Sequence, residues 1–206
     1  MKYSKEISCL FALMYLILYP GSLFANEGEI GKKYAIGAAV AGAFPEDSDI
    51  DNNLYWGGIA TYDIVKYAAI GVESGFMRWE DKVGNNKHGN IHAWPLLGDM
   101  IVKYPVDIGD FELAPYGVLG LGMIFWDYHE SEILRVNNIS VDMDNAFAIK
   151  FGCGMDIFTS SGVGLFIEGS YIWSDTKAES TGRGSALEVS VNTDMWMLST
   201  GVKIKM

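Results

Sequence analysis

The chain has 206 residues, half of them apolar, and a formal charge of −11. That apolar content excludes ordinary disorder, and the acidic balance excludes a nucleic-acid binder, which needs a basic face for the phosphates. With 24 glycines, 13% aromatics and only five prolines, the composition suits a single β-barrel with aromatic girdles.

The first stretch reads as a targeting segment. Lys2 and Lys5 precede an apolar run from Ile7 to Tyr19, which Pro20 and Gly21 break, and Ser22-Leu23-Phe24-Ala25 offers a small-residue cleavage site. The run is too short for a membrane-spanning helix. Residues 1–25 are therefore expected to be a cleaved signal peptide and 26–206 the barrel domain. Cys9 leaves with the signal and Cys153 stands alone, so no intrachain disulfide is expected.

Beyond the signal the sequence follows period two rather than 3.6. Strands are expected at Tyr34–Phe44, Leu54–Tyr62, Tyr67–Trp79, Ile91–Tyr104, Phe111–Tyr128, Asn145–Phe158, Gly162–Trp173 and Asp194–Met206. Their connections alternate. Asp63–Lys66, Asp107–Asp110 and Thr159–Ser161 are tight polar turns, whereas Pro45–Asn53, Glu80–Asn90, His129–Asp144 and Ser174–Thr193 are long and hydrophilic. Short turns at one end and long loops at the other predict an antiparallel up-and-down transmembrane β-barrel of about eight strands.

Within strands, one face carries almost all the charge. Phe147, Ile149, Phe151, Cys153, Met155 and Ile157 alternate with Ala148, Lys150, Gly152, Gly154 and Asp156. Trp196, Leu198, Val202 and Ile204 likewise alternate with Ser199, Gly201, Lys203 and Lys205. A Lys at mid-membrane on the lipid face costs about 2–4 kcal/mol, so the charged face must look into the barrel. Four acids, Glu73, Asp99, Asp156 and Glu168, then face four bases, Lys103, Lys150, Lys203 and Lys205, in a balanced lumen network. Strand direction puts Met77, Trp79, Leu97, Ile124, Trp126, Ile172 and Met197 in the outer half of the lumen, above that network. An apolar hollow over a polar floor is a ligand-site pattern, although side chains also simply fill small barrels. Tyr34, Trp94, Tyr104, Tyr171, Trp173 and Trp196 face outward near strand ends, where interfacial girdles sit.

These strands resemble those of the OmpW group of small outer-membrane barrels. Leu113-Ala114-Pro115-Tyr116-Gly117, with the preceding Ile91–Tyr104 strand, is similar to a pattern shared with the OmpX and OmpA barrel types. Gly154 and Asp156, and the closing Val191, Asn192, Trp196 and Gly201, are closer to OmpW itself. The resemblance implies a bacterial outer-membrane location and partners in outer-membrane lipid, lipopolysaccharide and the barrel-assembly machinery. It also implies uptake of small hydrophobic solutes into an apolar lumen closed below. Met206 stands where the family ends in Phe, a departure from the signal the assembly machinery reads.

No other constellation carries clear chemistry. His129-Glu130-Ser131 has the residue types of a hydrolase but lies in an expected loop, with no fixed base and orienting acid. His88, His92 and His129 lack tight ligand spacing, and the acidic run Glu46, Asp47, Asp49 and Asp51 lacks the glycine and terminal Glu of a calcium loop. No enzyme activity, cofactor or metal is expected. The expected function is a porin-like barrel that binds or passes small hydrophobic molecules. The alternative is a structural or surface-interaction barrel acting through its outer loops.

Overall fold

The computed structural model describes residues 33–46, 53–83, 86–130, 139–182 and 185–206. The expected signal peptide lies outside the described residues, as do Asp47, Asp49, Asp51 and Ser131.

The strands are β1 (Tyr34–Pro45), β2 (Asn53–Val65), β3 (Ala68–Val83), β4 (Asn86–Lys103), β5 (Val106–Ile108), β6 (Phe111–Glu130), β7 (Ile139–Met143), β8 (Ala146–Thr159), β9 (Val163–Gly182), β10 (Ser185–Asn192) and β11 (Met195–Lys205). Eight of them close a ring. Each of β1, β2, β3, β4, β6, β8, β9 and β11 pairs antiparallel with the next, and β11 returns to β1 with Ala41 opposite Ser199. Closure leaves no sheet edge, which is what a β-sheet in lipid requires. The fold is the expected all-β up-and-down barrel.

The wall is inside-out relative to a soluble protein. Leu96, Met100, Leu119, Leu121, Phe151, Leu165, Ile167, Leu198 and Val202 are exposed on the outer face. Glu73, Asp99, Lys150, Asp156, Glu168 and Lys203 are buried within. Trp56, Phe44, Trp94, Trp173 and Trp196 cluster outward toward the end bearing the long hairpins, and Tyr34, Tyr104 and Phe111 toward the other end. At that second end the hairpins are tight. Gly109 and Gly162, at φ of 61° and 90°, supply the left-handed backbone that the β5–β6 and β8–β9 turns need.

The long connections differ from expectation. Much of what reads as hydrophilic loop is strand: β3 and β4 extend to Val83 and from Asn86, β6 runs to Glu130, and β9 continues to Gly182 with β7 and β10 paired on either side of it. Apolar alternation marks a strand only where one face meets lipid. Above that level both faces meet water, yet the backbone donors and acceptors still pair across the ladder. Polar stretches such as Asp175–Glu179 therefore extend the sheet without announcing it.

Candidate functional site in the barrel lumen

The lumen is built by residue parity. Odd positions of β1 to β4 and β11, and even positions of β6, β8 and β9, point inward. From the outer mouth downward the inward side chains pass from apolar to ionised.

The lower lumen centres on Lys150. Its Nζ donates to Glu73 Oε2 at 2.5 Å and to Glu168 Oε1 at 2.8 Å, and lies 3.9 Å from Asp99 Oδ2. Two tyrosines, named by neither composition nor charge, complete the shell. Tyr55 Oη donates to Glu73 Oε1 and Tyr116 Oη to Glu168 Oε2, each at 3.0 Å. The Tyr55 ring lies over Gly57 and Gly75, and Tyr116 over Gly154, where any Cβ would meet the ring. Gly120 likewise leaves room for Asp99 and Lys150. Asp99 is buried, and neither of its carboxylate oxygens has a hydrogen-bond partner among the described residues.

Below this, Lys203 Nζ donates to Asp156 Oδ1 at 2.7 Å, with its charge 4.5 Å from the Phe166 centroid. Lys103 bonds Asp63 at 2.6 Å and Lys205 bonds Glu112 at 2.5 Å. All eight charged residues expected in the network thus point inward, but the expected balance does not hold. Asp63 and Glu112 join the acids, because β2 extends into the expected turn and Glu112 shares the inward parity of Tyr116. Parity along Phe111–Tyr128 could have identified Glu112.

The upper lumen is apolar. Met77, Leu97, Ile124, Ile172 and Met197 are all but inaccessible and pack with Tyr55, Ala93 and Ala148 into one cluster. Above them opens a small apolar hollow, with about 20 Å³ of enclosed space, lined by Pro45, Trp79, Ile91, Trp126, Met143, Val191, Thr193 and Met195. Of the seven residues expected to line a ligand site, Trp79 and Trp126 reach this hollow, and the other five fill the barrel beneath. Met143 and Val191 contribute from stretches read as loop, although Ile139, Val141 and Met143, and Leu187, Val189 and Val191, alternate with polar residues there. The Trp79 and Trp126 rings lie 5.7 Å apart, and both indole N–H groups are buried with no hydrogen-bond partner among the described residues. On the rim, Asp194 accepts from Ser174 N and Tyr171 Oη, both at 2.9 Å, and so ties β9 to the approach of β11.

The wall beside the packed apolar cluster, beneath the hollow, has a gap in its ladder. Between β3 and β4, Ser74 pairs with Leu96 and Met77 with Ala93, but Gly75–Phe76 and Trp94–Pro95 are unpaired. Pro95 faces inward and has no amide hydrogen to donate.

Known solved structures share this architecture. The chain is similar to the outer membrane protein OprG from Pseudomonas aeruginosa, with a TM-score of 0.71 and 18% identity over 87% of this chain and 98% of that one. The fold is that of the eight-stranded outer-membrane barrels. AlkL, an outer membrane protein studied in lipid bilayers, superimposes with a TM-score of 0.60 at 16% identity, covering 88% of this chain and 93% of AlkL. Escherichia coli outer membrane protein W does so at 0.57 and 15% identity, covering 85% and 98%. No family profile matches the sequence, and no curated protein matches it.

Proposed function

We propose that the protein is an outer-membrane barrel that takes small hydrophobic molecules, each carrying a hydrogen-bond acceptor, into the hollow at its mouth. The observation that carries this is the hollow over a salt-bridged floor, with two buried indole N–H donors on the rings that line it. A buried donor left unpaired costs about 1–3 kcal/mol, and a ligand carbonyl or hydroxyl relieves that cost. Apolar surface removed from water adds about 25 cal/mol per Å². Deeper entry requires movement of Met77, Met195 and Met197, and methionine is the apolar side chain that adapts most readily.

The charged floor opposes straight passage of an apolar solute, since ions in pairs must remain paired. Exit is sideways, through the wall where Pro95 interrupts the β3–β4 ladder. The expected signal peptide and the outer-membrane location belong to the same proposal. They are supported by the apolar outer face and by the outer-membrane barrels that share the fold.

The test is dye binding to purified protein in detergent. Titration with a hydrophobic ketone should shift the tryptophan emission of the wild type, and Trp126→Asp should abolish saturable binding while heat-dependent gel mobility shows an intact barrel. Leu97→Asp, deeper in the lumen, should also abolish it. Unchanged binding by a folded Trp126→Asp variant refutes the proposal.

One observation favours the surface-interaction reading: β7, upper β9 and β10 form a three-stranded rim sheet. Deletion of residues 180–187, which spares Val191 in the hollow and Ala178 against the apolar cluster, distinguishes the two. Loss of cell or phage adhesion with intact dye uptake selects the surface role.

A further inference from the structure

Two imidazoles and a carboxylate converge on the outer wall, away from the lumen. His92 on β4 is directly opposite Asp127 on β6, and His129 follows two residues later on the same outward face. One ligand atom from each residue lies within 4.8 Å of the others. The two imidazole rings are 4.4 Å apart, and His129 Nδ1 is 3.5 Å from Asp127 Oδ2. Edge-on contacts with Phe76 and Trp94, at 5.4 and 6.0 Å, hold the His92 ring. Its Nε2 is shielded from solvent and has no hydrogen-bond partner among the described residues.

A shielded imidazole nitrogen with no protein partner, beside a second imidazole and a carboxylate, is a set of donors without an acceptor between them. We propose that His92, Asp127 and His129 bind a first-row transition ion of the Zn²⁺ class at the outer rim of the wall.

The chemistry and the distances agree. Imidazole nitrogen suits Zn²⁺, Cu²⁺ and Ni²⁺, whereas Mg²⁺ and Ca²⁺ select oxygen. Bonds of about 2.0–2.2 Å place tetrahedral ligand atoms about 3.3 Å from one another. Closing the present cluster to that size takes side-chain rotation of His129 and Asp127, both half-exposed, toward the held His92 ring. Three protein ligands leave a fourth position for water or for an anionic group. Arg78 is paired opposite His92 and donates to Asn90 Oδ1 at 3.1 Å. Its charge opposes the metal, so the site binds more weakly than a closed four-ligand centre. The ion joins β4 to β6 just above the girdle.

The experiment is calorimetric titration of the tag-free full chain in detergent micelles with Zn²⁺ alone and with Mg²⁺ alone. One Zn²⁺ per chain and no saturable Mg²⁺ are expected. His92→Ala and His129→Ala should each weaken Zn²⁺ binding at least about tenfold, since even residues behind the ligands are worth that much. His88→Ala should bind as the wild type does. With Cu²⁺ as the probe, electron paramagnetic resonance should show two coordinating imidazole nitrogens in the wild type and one in each single variant. Heat-dependent gel mobility verifies that each variant is folded. No saturable Zn²⁺ binding by the wild type overturns the proposal. So does undiminished binding by the His92→Ala/His129→Ala double variant, or loss of binding in His88→Ala alone.

Discussion

Replacing Lys150 with Met removes the one cation that three buried carboxylates share. The methionine fills nearly the same volume, so the perturbation is electrostatic. In the wild type the ammonium lies 2.5, 2.8 and 3.9 Å from oxygens of Glu73, Glu168 and Asp99. At an effective dielectric constant of about 20, each such contact is worth about 4–7 kcal/mol of gross attraction. Most of that offsets the cost of burying the ions, so the pairs contribute little net stability. Deleting one partner is different, because the remaining charges stay buried without compensation, and such deletions cost about 3–5 kcal/mol. Tyr55 and Tyr116 each donate only one hydrogen bond and cannot replace the charge. Urea unfolding in detergent, followed by tryptophan emission and gel mobility, should show that loss at neutral pH. Lowering the pH should shrink it, because protonated carboxyls carry no charge. A triple variant, Lys150→Met with Glu73→Gln and Glu168→Gln, should recover most of it. A Lys150→Met variant as stable as the wild type at neutral pH refutes this account of the floor.

Two further substitutions probe the wall and its packing. Leu119→Lys, at mid-height on the outer face opposite Met100 and Phe151, should destabilise the protein by about 2–4 kcal/mol in bilayers. Ile108→Lys, in the short strand at the tight-turn end, should cost no more than about 1 kcal/mol. Equal effects in the same unfolding assay mean the apolar belt does not face lipid. Gly120→Val places branched carbon against Asp99 and the Lys150 side chain, and overpacking of that kind costs about 1–3 kcal/mol. An unshifted unfolding midpoint shows that the glycine is not there to make room.

The barrel was legible in the sequence wherever lipid imposes a rule. Membrane strands must show apolar side chains outward, so the alternation of Phe147 to Ile157 with Lys150 and Asp156 fixes both the strand and its facing. The rim strands obey no such rule. Lys177 and Glu179 alternate with Thr176 and Ala178 in water, which rewards neither face, so the upper part of β9 stays hidden in polar sequence, while β7 alternates Ile139, Val141 and Met143 with Ser140 and Asp142 over only five residues. The mouth hollow was lost with them, since Met143 and Val191 line it from those segments. The rim cluster was half visible. Parity puts His92, Asp127 and His129 on one face, but only the β4–β6 register brings them side by side.

Register also explains why the floor looks different in space than in sequence. Lys150 meets Glu73 across 77 residues, and no local pattern announces that pair. The sequence count gives equal acids and bases because Asp63 falls in an expected turn and Glu112, at the foot of an expected strand, is left out of it. In the barrel these two neutralise Lys103 and Lys205, and Asp156 neutralises Lys203. Lys150 is left to Glu73, Asp99 and Glu168 together. The excess negative charge of the lumen is therefore not spread over its length. It gathers in one layer directly beneath the apolar cluster. An apolar solute can sit above that layer at no electrostatic cost, whereas crossing it means separating Lys150 from the acids it bonds. On the proposed function, that layer would stop a ligand from falling through and leave the wall as its way out.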